Sequence, residues 1–329
     1  MISFIVFLLV LPRLMIFNGA LTVDDGTCPM LTQISCPSMR APDSDDVIQM
    51  VPKRLPSDHQ LADRPEMKGI DLNLICSEPD CLSNPCLHGG TCMETYDGYE
   101  CHCLHCNTGI QCQDKLPNDC SEIYDAGGST DGTYRICLDS GTVQEEPIDV
   151  YCKFYNGDGW LVIQRRQDGS VNFYRDWANY KNGFGDLKNE FWLGNDIIHR
   201  ITYQGLYRLR IQMTDLEGNL WTAVYDNFRV ADESDGYRLN VQYISGTIDD
   251  ALENFHNDLQ FSTRDRDNDA HQSGNCAVAY HGGWWYRACH RSNLNGRWAV
   301  PNTTGMAWCK DDGIFLHMNF SIMEMRNMN

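Results

Sequence analysis

The residues with the greatest capacity for chemistry lie in the stretch FSTRDRDNDAHQSGNCAVAY, residues 261–280. Three aspartates, Asp265, Asp267 and Asp269, occupy alternating positions there. This polarity does not fit a strand core, so the charge must be neutralised by a metal ion, by a proton shared in a general acid/base pair, or by solvent around an exposed loop. Alternating side chains of a loop can converge on one point, and calcium takes six to eight oxygen ligands. The alternating aspartates are therefore candidate calcium ligands, with a solvated acidic loop as the alternative.

Catalysis by these groups is not expected. Paired carboxylates can perform acid/base chemistry, and His281 and His290 lie close to each other in the sequence. The chain nevertheless has no HExxH, G-x-S-x-G or G-x-x-x-x-G-K-[ST] motif. Because a free nucleophilic cysteine is also not expected in a cysteine-paired secreted domain, the protein is predicted not to be an enzyme.

Charge and cysteine content restrict the partners and the compartment. The formal net charge of -19 leaves no large basic surface for nucleic acid or anionic membranes. Residues 1–20, MISFIVFLLVLPRLMIFNGA, contain an apolar run about half as long as a membrane span, and they are predicted to be a signal peptide cleaved after Ala20. No later segment is apolar enough to span a membrane, and sixteen cysteines indicate an oxidising compartment. We therefore expect a secreted, extracellular protein without membrane insertion, glycosylated at the sequons of Asn302 and Asn319.

Residues 21–75 are predicted to be an extended linker, because prolines and charges are scattered through them without sustained apolar periodicity. Neither a collagen repeat nor a coiled-coil heptad is present. Cys28 and Cys36 either pair locally or join subunits into a disulfide-linked homo-oligomer, and the sequence leaves both open.

The segment DCLSNPCLHGGTCMETYDGYECHCLHCNTGIQC, residues 80–112, is short and rich in cysteine. Six of its cysteines follow the spacing C-x4-C-x5-C-x8-C-x-C-x8-C. A segment this short cannot bury enough apolar surface, so cross-links must hold it. Residues 76–113 resemble an EGF-like module, and the resemblance implies the pairs Cys81–Cys92, Cys86–Cys101 and Cys103–Cys112. Calcium is not expected here, because the residues before the first cysteine and after the third depart from calcium-binding versions. Cys76 and Cys106 lie outside the pattern and could pair with each other.

From Cys120 onward the sequence alternates in the manner of half-buried strands. The apolar residues of YRLRIQMTDL, from Tyr207 to Met213, share one face, and YRLNVQY repeats the pattern from Tyr237. Turn signals at residues 167–170 and 217–219 separate such runs. Amphipathic stretches such as residues 248–255 are predicted to be helical, so the fold class is α+β with much irregular loop.

Several further segments occur in order: GWLVIQRRQDGSVNFYRDWANYKNGFGDLKNEFWLGNDIIHRIT, FSTRDRDND, NCAVAYHGGWWYRACH and SNLNGRW. With them, residues 117–329 resemble the fibrinogen C-terminal domain shared by fibrinogen chains, ficolins, tachylectins, tenascins and angiopoietins. The resemblance implies a globular domain with a mostly antiparallel sheet and a loop-rich calcium and ligand subdomain. It also implies the disulfides Cys120–Cys152 and Cys276–Cys289.

The same resemblance implies a calcium site and a ligand pocket beside it. The calcium ligands would be the side chains of Asp267 and Asp269 with main-chain carbonyls near His271 and Ser273. Asp265 is then interpreted as a supporting or solvated group. In acetyl-binding relatives the pocket contains a cis peptide before the second cysteine, which here is the Ala288–Cys289 bond. Its aromatic walls would be Tyr280 and His290, with the backbone of residues 288–290 around the acetyl carbonyl. Trp298 is either a further wall or part of the core.

Two features depart from the pattern of acetyl-binding relatives. An aromatic residue usually lies three positions before the glycine of a G-I-x-W segment, and in PNTTGMAW that position is Asn302. A wall of the pocket is then missing, or a glycan replaces it. Cys137 and Cys309 are extra cysteines, which either pair with each other or join subunits.

The sequence favours a secreted calcium-dependent lectin that recognises acetylated glycans, in innate immune recognition. The alternative is a protein-binding module of the tenascin or angiopoietin type, whose partners would be cell-surface or matrix glycoproteins. The calcium and Cys-His constellation motivates the first hypothesis, and the EGF-like module and the changed wall at Asn302 motivate the second.

Overall fold

The computed structural model of the protein describes residues 38–40, 47–49, 51–54, 74–77, 79–95, 97–138 and 146–328. The predicted signal peptide, Cys28 and Cys36 lie outside these residues. The chain divides into two compact units between Lys115 and Leu116. No helix in the described ranges combines the length and the apolar character needed to cross a membrane.

The described part of the first unit contains short antiparallel strand pairs. These are β1 (Ser38–Arg40) with β2 (Val47–Gln49), β3 (Val51–Arg54) with β4 (Leu74–Ser77), β5 (Thr91–Thr95) with β6 (Gly98–His102), and β7 (Asn107–Thr108) with β8 (Asp114–Lys115). A 3-10 turn covers Asp80–Ser83. The prediction of an extended linker over residues 21–75 did not include β1 to β4, because strands of three or four residues carry too little alternation to be recognised.

Disulfides, rather than a core, hold the described residues 79–115. The structure contains the bonds Cys81–Cys92, Cys86–Cys101 and Cys103–Cys112. Cys92 and Cys101 lie directly opposite each other in the β5–β6 pair, so the two bridges leave from neighbouring strands. Cys106 is also disulfide-bonded. Cys112 is the one buried residue within this described stretch.

The second unit is built on an antiparallel sheet of eleven strands. Its main path runs β12-β13-β11-β19-β14-β15-β16, while β9 and β10 extend from β11, and β17 and β18 extend from β19. The strands are β9 (Gly132–Ile136), β10 (Ile148–Tyr155), β11 (Asp158–Arg166), β12 (Phe184–Gly185), β13 (Phe191–Trp192), β14 (Tyr207–Asp215), β15 (Leu220–Val230), β16 (Leu239–Gly246), β17 (Ser292–Asn293), β18 (Ala307–Cys309) and β19 (Phe315–Asn327). The bond Cys120–Cys152 joins the start of this unit to β10.

The alternation in β14 sets the two faces of the sheet. Leu209 and Ile211 are fully buried on the core face, opposite Met325 and Met323 of β19. Arg210 points to the other face, where its guanidinium hydrogen-bonds Glu324 of β19. This period of two is the pattern that the sequence predicted. With five short helices beside an antiparallel sheet, the predicted α+β class is confirmed.

The helices are short and connect the strands. They are α1 (Cys120–Asp125), α2 (Trp177–Asn182), α3 (Asn195–Thr202), α4 (Glu253–His256) and α5 (Cys276–Tyr280). The helix predicted over residues 248–255 is wrong for its first half. The buried Asp250 carboxylate accepts hydrogen bonds from the backbone N–H groups of Leu252, Glu253 and Asn254, so helical structure begins only after it.

A buried ion pair fastens the turn that follows β11. Glu190 is fully buried, and its carboxylate accepts backbone N–H bonds from four residues of the turn, Gln167, Asp168, Gly169 and Val171. Its charge partner is Arg166, whose Nε lies 3.6 Å away. Burial lowers the pKa of Arg166 to about 10 against the opposing influence of Glu190, so the guanidinium stays charged at neutral pH. Arg166 also donates to the carbonyls of Leu294 and Gly296, which lie in the loop region beyond the sheet.

Candidate functional site

Asp269 organises the acidic loop. Its Oδ1 accepts a hydrogen bond from the His271 N–H at 2.8 Å, and its Oδ2 accepts one from the Cys276 N–H at 2.7 Å. Asp267 is bonded to the same loop, because its Oδ1 accepts a hydrogen bond from the Asp269 N–H at 3.2 Å. The loop therefore closes around one carboxylate, and the start of α5 is tied to it.

The carboxyl groups of Asp267 and Asp269 are near enough to hydrogen-bond each other. Burial raises the pKa of Asp269, the two backbone N–H bonds oppose that change, and the charge of Asp267 raises the pKa further. A cation between the two groups would remove this repulsion, and hard carboxylate oxygens are the donors that calcium prefers. The pair therefore fits calcium.

The remaining predicted ligands follow in the same loop. His271 and Ser273 are exposed, and the Ser273 N–H donates to His271 Nδ1 at 3.4 Å. Within the described residues, no group of three or more His, Cys, Asp and Glu side chains could hold a metal ion. The predicted site has only two carboxylates and would draw its other oxygens from carbonyls and water, so calcium remains a prediction.

Asp265 serves the scaffold. Its Oδ1 accepts hydrogen bonds from the Trp177 N–H at 2.8 Å and from the Thr263 hydroxyl at 2.7 Å. Trp177 is the first residue of α2, so Asp265 ties the acidic loop to that helix. Of the two interpretations of Asp265, support of the loop fits these contacts.

The second loop of the site lies against the acidic loop. The Cys276–Cys289 disulfide links α5 to it, and the Ala270 N–H donates to the Arg287 carbonyl at 2.8 Å. The Ala288–Cys289 peptide bond is cis, at the position that the resemblance implied. The backbone N–H groups of Cys289 and His290 donate to no acceptor in the part of the chain that the structure describes. They are free to receive the carbonyl oxygen of a ligand.

Aromatic rings stand beside these N–H groups. The centroids of Tyr280 and His290 are 4.5 Å apart in an edge-on arrangement, and the buried Tyr286 ring lies 6.2 Å from His290. Burial lowers the pKa of His290 to about 4, so the imidazole is neutral at neutral pH. The pocket thus offers hydrogen-bond donors and uncharged rings, which suit a small neutral group with one carbonyl and one methyl.

Phe315 is a further wall that sequence reasoning missed. Its ring lies 5.6 Å from the His290 ring, on the first residue of β19, and the side chain is 40% exposed. Two backbone pairings bring Phe315 here. Phe315 lies opposite Cys309 of β18, and the N–H of Cys309 donates to the carbonyl of Arg291, the residue after His290. The sequence analysis assigned no strand to this segment, and the strand register that brings Phe315 here is a tertiary feature.

His256 was also missed. It is fully buried, and its Nδ1 lies 2.6 Å from the Trp285 carbonyl, while its Nε2 accepts from the N–H groups of Arg291 and Ser292. These partners define a neutral imidazole with the proton on Nδ1. His256 therefore holds both ends of the loop that contains the cis bond and Cys289.

Trp298 and the extra cysteines have other roles. Trp298 packs against the core, and its Nε1 donates to the Asn319 carbonyl at 2.6 Å, so its place in the core is the interpretation that fits. Cys309 is buried and free, whereas Cys137 is disulfide-bonded. A Cys137–Cys309 bridge is therefore wrong.

These features define a disulfide-bonded globular domain in which an acidic loop is joined, through α5 and a disulfide, to the loop that contains the cis bond. Residues 116–328 match the family described as "Fibrinogen beta and gamma chains, C-terminal globular domain", and residues 81–105 match the EGF-like domain. The chain belongs to the fibrinogen C-terminal domain family and carries an EGF-like module. Domains of this family are binding modules rather than enzymes.

Similar proteins include human Ficolin-3, 42% identical over 211 residues that make up 62% of this chain and 68% of Ficolin-3. Human Tenascin-R is 42% identical over 215 residues, 65% of this chain but only 16% of Tenascin-R. Among solved structures, the fibrinogen-like globe domain of human ANGPTL2 is 37% identical, with a TM-score of 0.60 over 65% of this chain and 100% of that domain. Lamprey fibrin D-dimer in complex with the peptide Gly-His-Arg-Pro-amide is 37% identical, with a TM-score of 0.59 over 65% of this chain and 74% of that chain.

Proposed function

We propose that the protein is a secreted calcium-dependent lectin that binds acetylated glycans. The observation that carries this proposal is the pair of unpartnered N–H groups of Cys289 and His290 beside the Tyr280 ring, among the residues that the structure describes. An acetamido carbonyl would accept from these N–H groups, while its methyl group would contact the aromatic rings. Ala288 precedes these donors across the cis peptide bond.

Calcium would be held by Asp267 and Asp269, with carbonyls near His271 and Ser273. Bound there, the ion supplies positive charge that stabilises two adjacent carboxylates. Asp269 also accepts a hydrogen bond from the Cys276 N–H, and the Ala270 N–H donates to the Arg287 carbonyl. A change in the conformation of the acidic loop would therefore also change the loop that contains Cys289 and His290. Binding of acetylated sugar is therefore expected to require calcium.

Asp269→Asn is expected to abolish stabilisation by calcium. With a dissociation constant of about 0.1 to 1 mM, typical of weak extracellular sites, about 5 mM calcium stabilises the folded state by roughly 1 to 2 kcal/mol. For a domain of this size, that free energy corresponds to a rise in Tm of roughly 3 to 6 °C. Thermal unfolding with calcium and with chelator measures the difference. Asp265→Asn is the matched control and should keep the calcium-dependent rise, since Asp265 bonds Trp177 and Thr263.

Tyr280→Ala is expected to reduce retention on an immobilised acetylated sugar at least tenfold, which corresponds to about 1.4 kcal/mol of lost ring contact. The measurement is chromatography of the secreted protein in calcium, with elution by free N-acetylglucosamine and, separately, by chelator. Tyr203→Ala is the control, because Tyr203 is 52% exposed and its ring contacts His199 and Arg229 instead of the pocket. Retention that persists in chelator would contradict the calcium-dependent mechanism.

A second candidate function is protein or peptide binding. Phe315 contacts His290, and Ile314 precedes it; the two residues are 40% and 56% exposed. Exposed apolar surface of this kind favours a protein partner, such as a cell-surface or matrix glycoprotein. The related lamprey structure holds a peptide ligand. A folded, calcium-loaded protein that the acetylated-sugar resin does not retain would favour this candidate. So would adhesion that free acetylated sugar does not inhibit.

A further inference from the structure

The sequon at residues 302–304 forms a tight turn on the surface. Asn302 is exposed, its N–H donates to the Val300 carbonyl at 2.9 Å, and its own carbonyl accepts from the Gly305 N–H at 2.9 Å. Its side-chain Oδ1 accepts from the N–H and the hydroxyl of Thr304, at 2.9 and 2.8 Å. The asparagine and the threonine of the sequon thus already contact each other, and Asn302 is exposed.

This turn is held next to the pocket. The Arg297 N–H donates to the Thr304 carbonyl at 2.8 Å, and the Met306 N–H donates back to the Arg297 carbonyl at 2.9 Å. The backbone of Thr303 lies within hydrogen-bonding reach of the His290 ring. Phe315 contacts another edge of the same ring. The residue that follows Asn302 therefore lies near His290.

The second sequon occupies a different environment. Asn319 lies within β19, where its carbonyl accepts from Trp298 Nε1 at 2.6 Å. Its hydroxyl residue, Ser321, is fully buried and donates to Gln164 Oε1 at 2.9 Å. Asn319 is half-buried in the sheet, whereas Asn302 is exposed, so Asn302 is the more accessible of the two sequons.

We propose that an N-linked glycan on Asn302 lies at the rim of the pocket and competes, as a tethered ligand, with acetylated sugars from outside. This inference rests on the proposed lectin function. The modification joins Asn302 Nδ2 to C1 of the first sugar of a lipid-pyrophosphate oligosaccharide, the lipid pyrophosphate leaves with the bonding electron pair, and the amide loses one proton. That first sugar is N-acetylglucosamine, which carries the acetamido group that the free N–H groups of Cys289 and His290 would receive.

The size of the effect follows from tethering. A ligand on a short flexible tether has an effective concentration in the millimolar range, and a single sugar contact is weak, so the tethered sugar occupies the pocket for much of the time. The apparent dissociation constant for external sugar is multiplied by a factor. That factor is one plus the ratio of the tethered sugar's effective concentration to its intrinsic dissociation constant. Removing the glycan is then expected to tighten binding of free N-acetylglucosamine by about 3- to 10-fold.

The test compares full-length protein secreted from a eukaryotic host as wild type, Asn302→Gln and Thr304→Ser, with glycan occupancy read from the intact mass. Thr304→Ser is the matched control, because it keeps both the sequon and the hydroxyl that bonds Asn302. Enzymatic release of the glycan from the wild type removes the sugar and converts the asparagine to an aspartate. The new carboxylate keeps acceptor oxygens in the turn, so this treatment separates loss of the glycan from distortion of the turn. Each form is titrated with N-acetylglucosamine in calcium.

Tighter binding in both Asn302→Gln and the enzymatically treated wild type, with Thr304→Ser unchanged, would support the tethered-competitor role. Equal binding by a fully glycosylated wild type and by its glycan-free forms would overturn it and leave the lectin proposal intact. A wild type that is unmodified at Asn302 would overturn it as well. Absence of binding by every form, including those without glycan, would overturn the lectin proposal and this inference together.

Discussion

His256→Ala is expected to lower the free energy of unfolding of the second unit by about 4 kcal/mol. The substitution leaves three buried backbone groups without partners, the Trp285 carbonyl and the N–H groups of Arg291 and Ser292, and each unsatisfied group costs about 1 to 3 kcal/mol. A cavity adds to the loss, because the imidazole is fully buried. Denaturant unfolding of the purified protein measures the change.

His199 is a control that shows how much stability is lost when an imidazole with fewer hydrogen bonds is removed. His199 is half-buried and makes one hydrogen bond, from Nδ1 to the Val230 carbonyl at 2.8 Å, so His199→Ala should cost about 1 kcal/mol. His256→Gln keeps an acceptor for Arg291 and Ser292 and should lie between wild type and alanine. Equal losses for His199→Ala and His256→Ala would contradict the role assigned to His256.

The pH dependence of the same variants gives an independent signature. Burial lowers the pKa of His256 to about 3, below the ordinary value of about 6.5 that the unfolded chain retains. The unfolded state therefore binds the extra proton between pH 6.5 and pH 3, and stability falls as pH drops through that window, while above pH 6.5 this group contributes no dependence. The wild type should lose about 2 kcal/mol from this residue between pH 7 and pH 5. His256→Gln lacks that loss, so the gap between the two proteins should narrow by the same amount.

Glu190→Gln is expected to destabilise the second unit by about 4 kcal/mol, since breaking one side of a buried ion pair costs about 3 to 5 kcal/mol. The substitution leaves the Arg166 guanidinium, 2% exposed, without its counter-charge 3.6 Å away. It also weakens the acceptor for the N–H groups of the turn after β11. Because Arg166 also holds the carbonyls of Leu294 and Gly296, the variant should weaken the anchoring of that loop as well.

An exposed ion pair is the control for this prediction. Arg135 and Asp149 lie 3.2 Å apart with side chains 63% and 52% exposed, so Asp149→Asn should change the free energy of unfolding by less than about 1 kcal/mol. Denaturant midpoints of the two variants make the comparison. A Glu190→Gln protein within about 1 kcal/mol of the wild type would show that the turn does not depend on the buried charge.

Local patterns predicted much of the framework. The alternation from Tyr207 to Met213 predicted β14, because side chains of a strand point to opposite faces whatever it packs against. The resemblance to the fibrinogen C-terminal domain implied disulfide pairs that the structure contains, such as Cys120–Cys152. The alternating aspartates marked the loop in which Asp267 and Asp269 come together. The calcium ligands and the ligand contacts of the pocket themselves remain predictions.

Contacts between distant segments were beyond the sequence. His256 hydrogen-bonds backbone atoms 29 to 36 residues away. Every residue type has the same backbone atoms, so the sequence does not show which residues are its partners. Phe315 reaches His290 only through the register of β18 and β19. The extra cysteines were ambiguous because pairing depends on distance in space, and Cys309 proved free.

The sequence by itself determined the class of the protein, its cysteine-rich module, the alternation of its main strands and the place of its acidic loop. The strand alternation and the acidic loop follow from residue types at short spacing, because local sterics and solvation act on neighbouring residues. The class and the module follow from the resemblance of ordered motifs to a known family. Only the tertiary structure decided that Asp265 supports α2, that His256 clamps the loop around Cys289, and that Phe315 and the Asn302 turn border the same histidine. Those contacts depend on which strands pair and in what register. Strand pairing and register are determined by burial of the whole core and not by any one segment.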